Sequence, residues 1–216
     1  MHRRHLLAHA LPAASVLLSA RRAASQPAGA VLSDQDRADF ARIETLLNAT
    51  RSLKARFLQV APNGSTAGGT AWLERPGRMR FQYDPPSPLL LVAGHGLVVF
   101  HDSQLDQTSN IPLGQTPLGI LLADRIRLSG DVTVLALRRL PGEIAVTVTR
   151  TASPGEGSLT LTFVDNPLAL RQWSVLDAQR QETRVTLFDV QLGGNFDPKL
   201  FEFVDPRFLR GQGGGG

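Results

Sequence analysis

The sequence predicts a mainly β protein, an antiparallel sheet curled into a barrel or sandwich, and three observations carry that prediction. About ten or eleven short segments with apolar-polar alternation follow one another from Leu53 onward, most of them bounded by Gly, Pro, Asn or Asp. Two segments alone have helical spacing. The 216 residues suffice for one good-sized core.

The first thirty residues read as an export signal. Arg3 and Arg4 precede a mildly apolar stretch from Leu6 to Ala20, and small-residue cleavage sites follow at Ala23 to Ser25 or Ala28 to Ala30. The arginine pair followed by Leu6 and Leu7 partly matches a twin-arginine signal, while the general secretory route stays open. This segment holds Arg3, Arg4, Arg21 and Arg22 and no acidic residue, so the +4 charge of the whole chain falls to zero without it. A nucleic-acid reading thereby loses its electrostatic footprint. There is no cysteine, hence no disulfide framework and no thiol to receive a lipid.

Ser33 to Asp36 form a helix start, with acidic residues in the first turn. Phe40, Ile43 and Leu47 recur at helical spacing, with Leu46 widening the stripe, and predict an amphipathic helix over about 35–50. Strands follow: one around Leu53 to Phe57, then Thr70 to Glu74, Met79 to Tyr83, Leu89 to Ala93 and Leu97 to His101. In "QTPLGILLAD", Thr116 is placed to cap and Pro117 fits the first helical position. Leu118, Leu121 and Leu122 make the apolar side of this second helix, over about 116–124. Further strands are predicted at Val132 to Arg139, Glu143 to Arg150, Ser158 to Val164, Leu168 to Leu176 and Thr183 to Leu192, with a short last one near Phe201 to Val204. The glycine-rich end, residues 209–216, reads as a disordered tail behind a single domain of residues 31–208.

The stretch "LERPGRMRFQYDPPSP" sets arginines among apolar residues. Alternation puts Met79, Phe81 and Tyr83 on one face and Arg78, Arg80 and Gln82 on the other, so those arginines read as a solvated face. Pro85, Pro86 and Pro88 then end the strand. Arg75 stands before Pro76 and Gly77, at a bend. Chemistry-bearing constellations are scarce. Beyond the signal the histidines are His95 and His101, with no carboxylate cluster at ligand spacing, and "GHG" lacks the third glycine of a dinucleotide loop. No catalytic residue, metal site or cofactor is predicted.

Three stretches, "LLNATRSLKARFLQVAPNG", "GGTAWLERPGRMRFQYDPPSPLLLVAGHGLVVFHDSQLDQTSNIPLGQTPLGILL" and "FDPKLFEFVDP", resemble the periplasmic outer-membrane lipoprotein carriers of the LolA family, in particular its alphaproteobacterial members. The resemblance runs from about Ile43 to Pro206. It rests on the order F-x-Q, R-P-G-x-x-R-x-x-Y, the P-L-L-L strand and T-P-L-x-x-L-L. It implies a single curved sheet of about eleven strands that fails to close as a barrel, covered by helices over an apolar cavity. The implied protein is a periplasmic monomer without enzymatic activity. It would take acylated lipoproteins from an inner-membrane ABC transporter and deliver them to an outer-membrane receptor, or to the outer membrane directly. For such a cavity the leading liners are the oily-face residues Phe57, Trp72, Met79, Phe81 and Tyr83, with an ordinary core position as the alternative for each. The lid residues are Phe40, Ile43, Leu47, Leu118, Leu121 and Leu122. Arg75 occupies the family's R-P arginine, which bonds the covering helices and keeps the empty carrier closed. Met79 stands where relatives often carry a bulky aromatic. Two alternatives share the fold: a periplasmic lipid- or lipoprotein-binding regulator without transport, and the receptor end of the same pathway, against which the missing cysteine argues.

Overall fold

The computed structural model describes residues 32–205; the predicted signal, residues 1–30, and the glycine-rich tail lie outside them. A helix, α1 (Asp34–Ala49), leads into β1 (Ser52–Val60), β2 (Thr66–Glu74), β3 (Arg78–Tyr83), β4 (Leu89–Gly94), β5 (Leu97–Asp102) and β6 (Gln107–Pro112). A one-turn helix, α2 (Leu118–Leu121), precedes β7 (Val132–Leu140), β8 (Glu143–Arg150), β9 (Gly157–Asp165), β10 (Leu168–Asp177) and β11 (Glu182–Leu192). All eleven strands form one antiparallel sheet in the order β6-β5-β4-β3-β2-β1-β11-β10-β9-β8-β7. The β6 and β7 edges do not pair, so the sheet stays open. The chain builds outward from β1 to one edge, crosses through α2 to the other edge, and builds back to β11 beside β1.

Alternation decides the faces. Leu53, Ala55 and Phe57 of β1 stand opposite Leu73, Ala71 and Gly69 of β2, and then Met79, Phe81 and Tyr83 of β3; all belong to the concave, buried side. The glycine has a steric reason, since a Cβ on Gly69 would lie 2.6 Å from the Phe57 ring and 2.2 Å from Gln82 O. Phe57 packs on Phe81 at 4.5 Å and on Tyr83 at 5.2 Å between ring centroids, and Phe81 meets Trp173 at 6.0 Å.

Three sequence expectations are corrected. The chain's last strand is β11, the segment near Phe201 to Val204 is not a strand, and the strand left unpredicted is β6. β6 was missed because "QTSNIP" is an edge strand with little buried surface and therefore no apolar alternation. Residues 198–201 form a 3₁₀ turn, and the segment through 205 crosses the convex face without joining the ladder. Phe201 is buried there, against the backbone of Gly94, and the Phe203 ring lies 5.2 Å from His101. Arg78 and Arg80 consequently do not form a solvated face. Arg80 donates to Leu200 O at 3.2 Å, Arg78 pairs with Glu74 and lies 5.6 Å over the Phe201 ring, and burial lowers the Arg80 pKa. Thr116 does not cap α2. Its hydroxyl donates to Leu113 O at 3.1 Å, and the helix spans a single turn after Pro117.

α1 begins as expected, with a reciprocal capping box between Ser33 and Asp36. Its first half is tied to the β7 side of the sheet. Arg139 donates to Asp36 at 2.6 Å and to the buried Asp39 at 2.8 Å, while Arg42 bridges Asp39 and Asp165. Arg139, with help from Ser33, holds the Asp36 carboxyl down at about 2. Burial alone would raise the Asp39 pKa, but the hydrogen bonds from Arg139, Gln35 and Arg42 bring it below its ordinary value. Both folded-state pKa values lie below the unfolded ones, so this stabilisation is complete above the ordinary carboxylate range and is lost as pH falls toward 2. Arg139→Gln is therefore expected to lower the unfolding temperature at neutral pH by roughly 3–6 °C. The difference from wild type should shrink as the pH is lowered from about 4 to about 2. Paired thermal melts across that range provide the check, and equal melting temperatures at pH 7 would show the anchor to be idle.

Candidate functional site

The concave side of the sheet is not filled. A cavity of about 730 Å³ lies over β3, β4, β5, β10 and β11. Its apolar wall comes from Met79, Phe81, Leu91, Val98, Trp173 and Val185, and the segment from Gln115 to Leu118 forms part of its rim. Strand register explains the convergence. Met79 faces Ala93, which faces Val98, and Trp173 faces Val185, so the same parity is read from strand to strand on both sides of the seam.

Of the expected liners, Met79 and Phe81 border this cavity. Phe57 and Tyr83 are buried beside it, in the aromatic cluster that forms its floor. Trp72 is a correction: it points to the opposite face, where Lys54 Nζ lies 5.7 Å from its ring, while its neighbours Ala71 and Leu73 face inward. It was grouped with the apolar face, but strand parity puts Ala71 and Leu73 there instead. Leu91, Val98, Trp173, Val175 and Val185 were missed as liners, although the same alternation could have found them.

Of the expected lid residues, Leu118 lines the cavity and Leu121 and Leu122 are buried behind it. Phe40, Ile43 and Leu47 are buried in the core, and none of them borders the large cavity. Leu47, with Leu46 and Thr50, instead borders a second cavity of about 380 Å³ against Leu53, Leu168, Leu170 and Leu187.

The second half of α1 is bonded to the segment after α2. Asn48 exchanges two hydrogen bonds with Ile126, at 2.8 and 3.0 Å, Glu44 accepts from Leu128 N at 2.6 Å, and Arg51 donates to Asp124 at 2.7 and 2.8 Å. These bonds join helix and segment into one cover. Arg75, at the end of β2, ties that cover to the sheet. Its Nε and Nη2 donate to Thr50 O at 3.1 and 2.9 Å, Nη2 also donates to Leu47 O, and Nη1 donates to Ala123 O at 3.1 Å. The side chain is buried. Every acceptor is a neutral backbone carbonyl, and two of them lie at the C-terminus of α1, whose last turn has no basic residue of its own. The guanidinium thus supplies the positive charge that a helix C-terminus favours, in a fork that fits several carbonyls at once. Burial lowers the Arg75 pKa, the neighbouring Arg51 lowers it further and Asp124 opposes the shift.

The family model described as outer membrane lipoprotein carrier protein LolA matches residues 48–204. An outer-membrane lipoprotein carrier protein of Methylococcus capsulatus is 29% identical over 174 residues, covering 76% of this chain and 83% of the relative. A carrier of the same name from Pseudomonas paraeruginosa is 30% identical over 193 residues, covering 79% and 86%. One from Azotobacter vinelandii is 28% identical over 203 residues, covering 88% and 93%. An unclosed eleven-stranded sheet, an apolar concave cavity and an arginine that ties the cover to the sheet thus accompany a family match over most of the chain, and the protein belongs to the LolA family of outer-membrane lipoprotein carriers.

Proposed function

We propose that this protein is a carrier of lipidated proteins, which shields their acyl chains in its concave cavity between membranes and releases them at the outer membrane. One observation carries the reading: an apolar cavity whose cover is tied to the sheet by an arginine bonded to backbone carbonyls alone. Burying a methylene is worth about 0.8 kcal/mol, so one chain of sixteen carbons resists water by roughly 12 kcal/mol. A carrier must offset that and still let go. The Arg75 tie is suited to the task because its partners, once parted, all return to favourable hydration. No carboxylate is left buried without its counter-charge.

In this reading the protein acts in the periplasm, its first thirty residues direct export, and residues 31–208 are the working domain. Cargo arrives from an ATP-driven transporter of the inner membrane and leaves to a receptor or to the outer membrane itself. Among the described residues no helix is long and apolar enough to cross a membrane. The chain performs no chemical step on its cargo. α1 and the segment after α2 move as one cover, and Arg75 biases the empty protein toward the closed form.

Arg75→Leu is expected to leave the fold intact and cargo uptake possible while slowing delivery. Hydrogen bonds from a charged donor are worth roughly 1.5–3 kcal/mol each, and 1.4 kcal/mol of lost preference for the closed empty state already shifts the balance tenfold. Arg75→Lys, with fewer donors in a different geometry, should fall between. A transfer assay between purified inner and outer membranes, with thermal melts alongside, tests this. Wild-type delivery by a folded Arg75→Leu protein would refute the latch.

The two tryptophans give a second test, because Trp173 lines the cavity and Trp72 lies on the other face. In a Trp72→Phe variant, loading with a triacylated cysteinyl peptide should shift Trp173 emission to shorter wavelength. In a Trp173→Phe variant the remaining Trp72 signal should stay where it is. An unmoved Trp173 spectrum on saturation would place the chains elsewhere.

A further inference from the structure

The second cavity, of about 380 Å³, lies where the sheet comes apart. β10 and β11 pair only from Gln172 opposite Thr186 to Leu176 opposite Glu182, so residues 168–171 and 187–192 run on without pairing to each other. Both faces of the sheet reach this split. Leu187 is buried on the concave side, while Phe188, opposite Arg56 of β1, faces the convex side with the Arg171 guanidinium 5.9 Å from its ring. Buried Leu47, Leu53 and Leu187 make the inner end of the cavity, and exposed Val190 and Leu192 its outer end. Arg171 is the one cation among the lining residues, and it makes no ion pair among the described residues. The one lining carboxylate is Asp189, and its charge acts on Arg56, whose pKa is raised chiefly by its hydrogen bond to Asp84 and to a lesser degree by Asp189.

Size and charge together select a ligand. A polar group has no partner at the leucine-lined inner end. An apolar cavity of about 150 Å³ takes a six-carbon ring, so this one has room for a single chain of roughly twelve to fifteen carbons and not for three. The unpaired guanidinium at the outer end favours an anionic head, and a carboxylate fits its fork with two parallel hydrogen bonds. A lipidated cysteine has three chains and an uncharged head of esters and amides, so it suits neither the volume nor the charge. One wall of the cavity is α1. Leu46, Leu47 and Thr50 belong to the cover, and Leu47 and Thr50 are two of the residues whose carbonyls Arg75 holds. Lifting the cover removes that wall, so the cavity is complete only while the cover is down. A ligand seated there stabilises the closed form by mass action.

We propose that the second cavity is a site for a single-chain anionic lipid, a fatty acid whose chain lies among the leucines and whose carboxylate meets Arg171, and that its occupancy holds the cover closed against cargo. The site stands on the cavity and its lining; the effect on cargo rests on the carrier reading.

Methyl NMR separates the two cavities. Met79 is the only methionine besides Met1 and lines the large cavity, while Leu168 and Leu170 line the second. The probes are decanoate below its micelle concentration, decanol and a triacylated cysteinyl peptide. Decanoate should give chain-to-methyl NOEs at Leu168 and Leu170 and bind there severalfold more tightly than decanol. Arg171→Gln should weaken decanoate at this site at least roughly tenfold and erase its advantage over decanol, and Arg171→Lys should restore part of it. Saturating decanoate should weaken the peptide, followed at Met79, at least roughly fivefold, and Arg171→Gln should remove that antagonism. By reciprocity Arg75→Lys, which loosens the cover, should weaken decanoate at the leucines. Decanoate NOEs confined to Met79 would overturn the site, and equal binding of decanoate and decanol at the leucines would overturn the role of Arg171; neither result needs a variant to fold. Peptide chain NOEs at Leu168 and Leu170 would give the cavity to the cargo and overturn the proposal. Antagonism that survives Arg171→Gln would be competition in the large cavity and would overturn the link to the cover. A peptide that leaves Met79 unmoved would count against the carrier reading and not against the fatty-acid site.

Discussion

A buried positive charge held by backbone carbonyls, with no carboxylate hydrogen-bonded to it, organises the cover of this protein. Arg75 sits in the interior at the end of β2, and its guanidinium is satisfied by the carbonyls of Leu47, Thr50 and Ala123 rather than by a carboxylate. Desolvating a guanidinium is costly, which is the reason its pKa falls. The cost is offset only while α1 and the segment after α2 hold their carbonyls in place. The arginine therefore stabilises the cover, and the cover in turn makes the arginine tolerable.

The remainder of the cover is fastened by charge at the periphery and by shape beneath. Arg139 and Arg42 hold the first half of α1 to the β7 side, while Arg75 holds the second half to the β2 side, so one helix is fastened at both ends to different parts of the sheet. Phe40, Ile43 and Leu47 bury against the core but do not wall the large cavity, part of whose rim is the segment from Gln115 to Leu118. Enclosure and tethering are thus assigned to different parts of the same cover. On the convex side, the segment after β11 lies over β3 to β5 and shields Arg80 and His101 from water.

The floor of the cavity shows how a sheet can be rigid and still leave space. Phe57 lies over Gly69, where any side chain would collide with it, and the ring packs against Phe81 and Tyr83. Filling one place with an aromatic cluster leaves the neighbouring area, between Met79, Leu91 and Trp173, without enough side-chain volume to close it.

Much of the architecture was legible in the residues. Alternation located ten of the eleven strands, because a strand with one buried face repeats every two residues. Ser33 and the acidic residues after it marked where α1 begins. The Pro76 and Gly77 bend marked Arg75 as a long donor at a turn, and the family resemblance said what it should reach. Tertiary structure alone decided the rest. β6 has almost no buried face, so its sequence has no period to read. The segment through Phe201 and Phe203 has strand-like composition, yet whether such a stretch joins a ladder depends on a free partner edge, which local sequence does not contain. Trp72 was grouped with the oily face, but it sits between Ala71 and Leu73, and it is the register with β1 and β3 that turns those smaller residues inward. Core and cavity could not be separated either, because Phe57 and Phe81 share the same composition and parity. Only the packing of distant strands leaves one sealed behind the floor and the other on the wall of an open space.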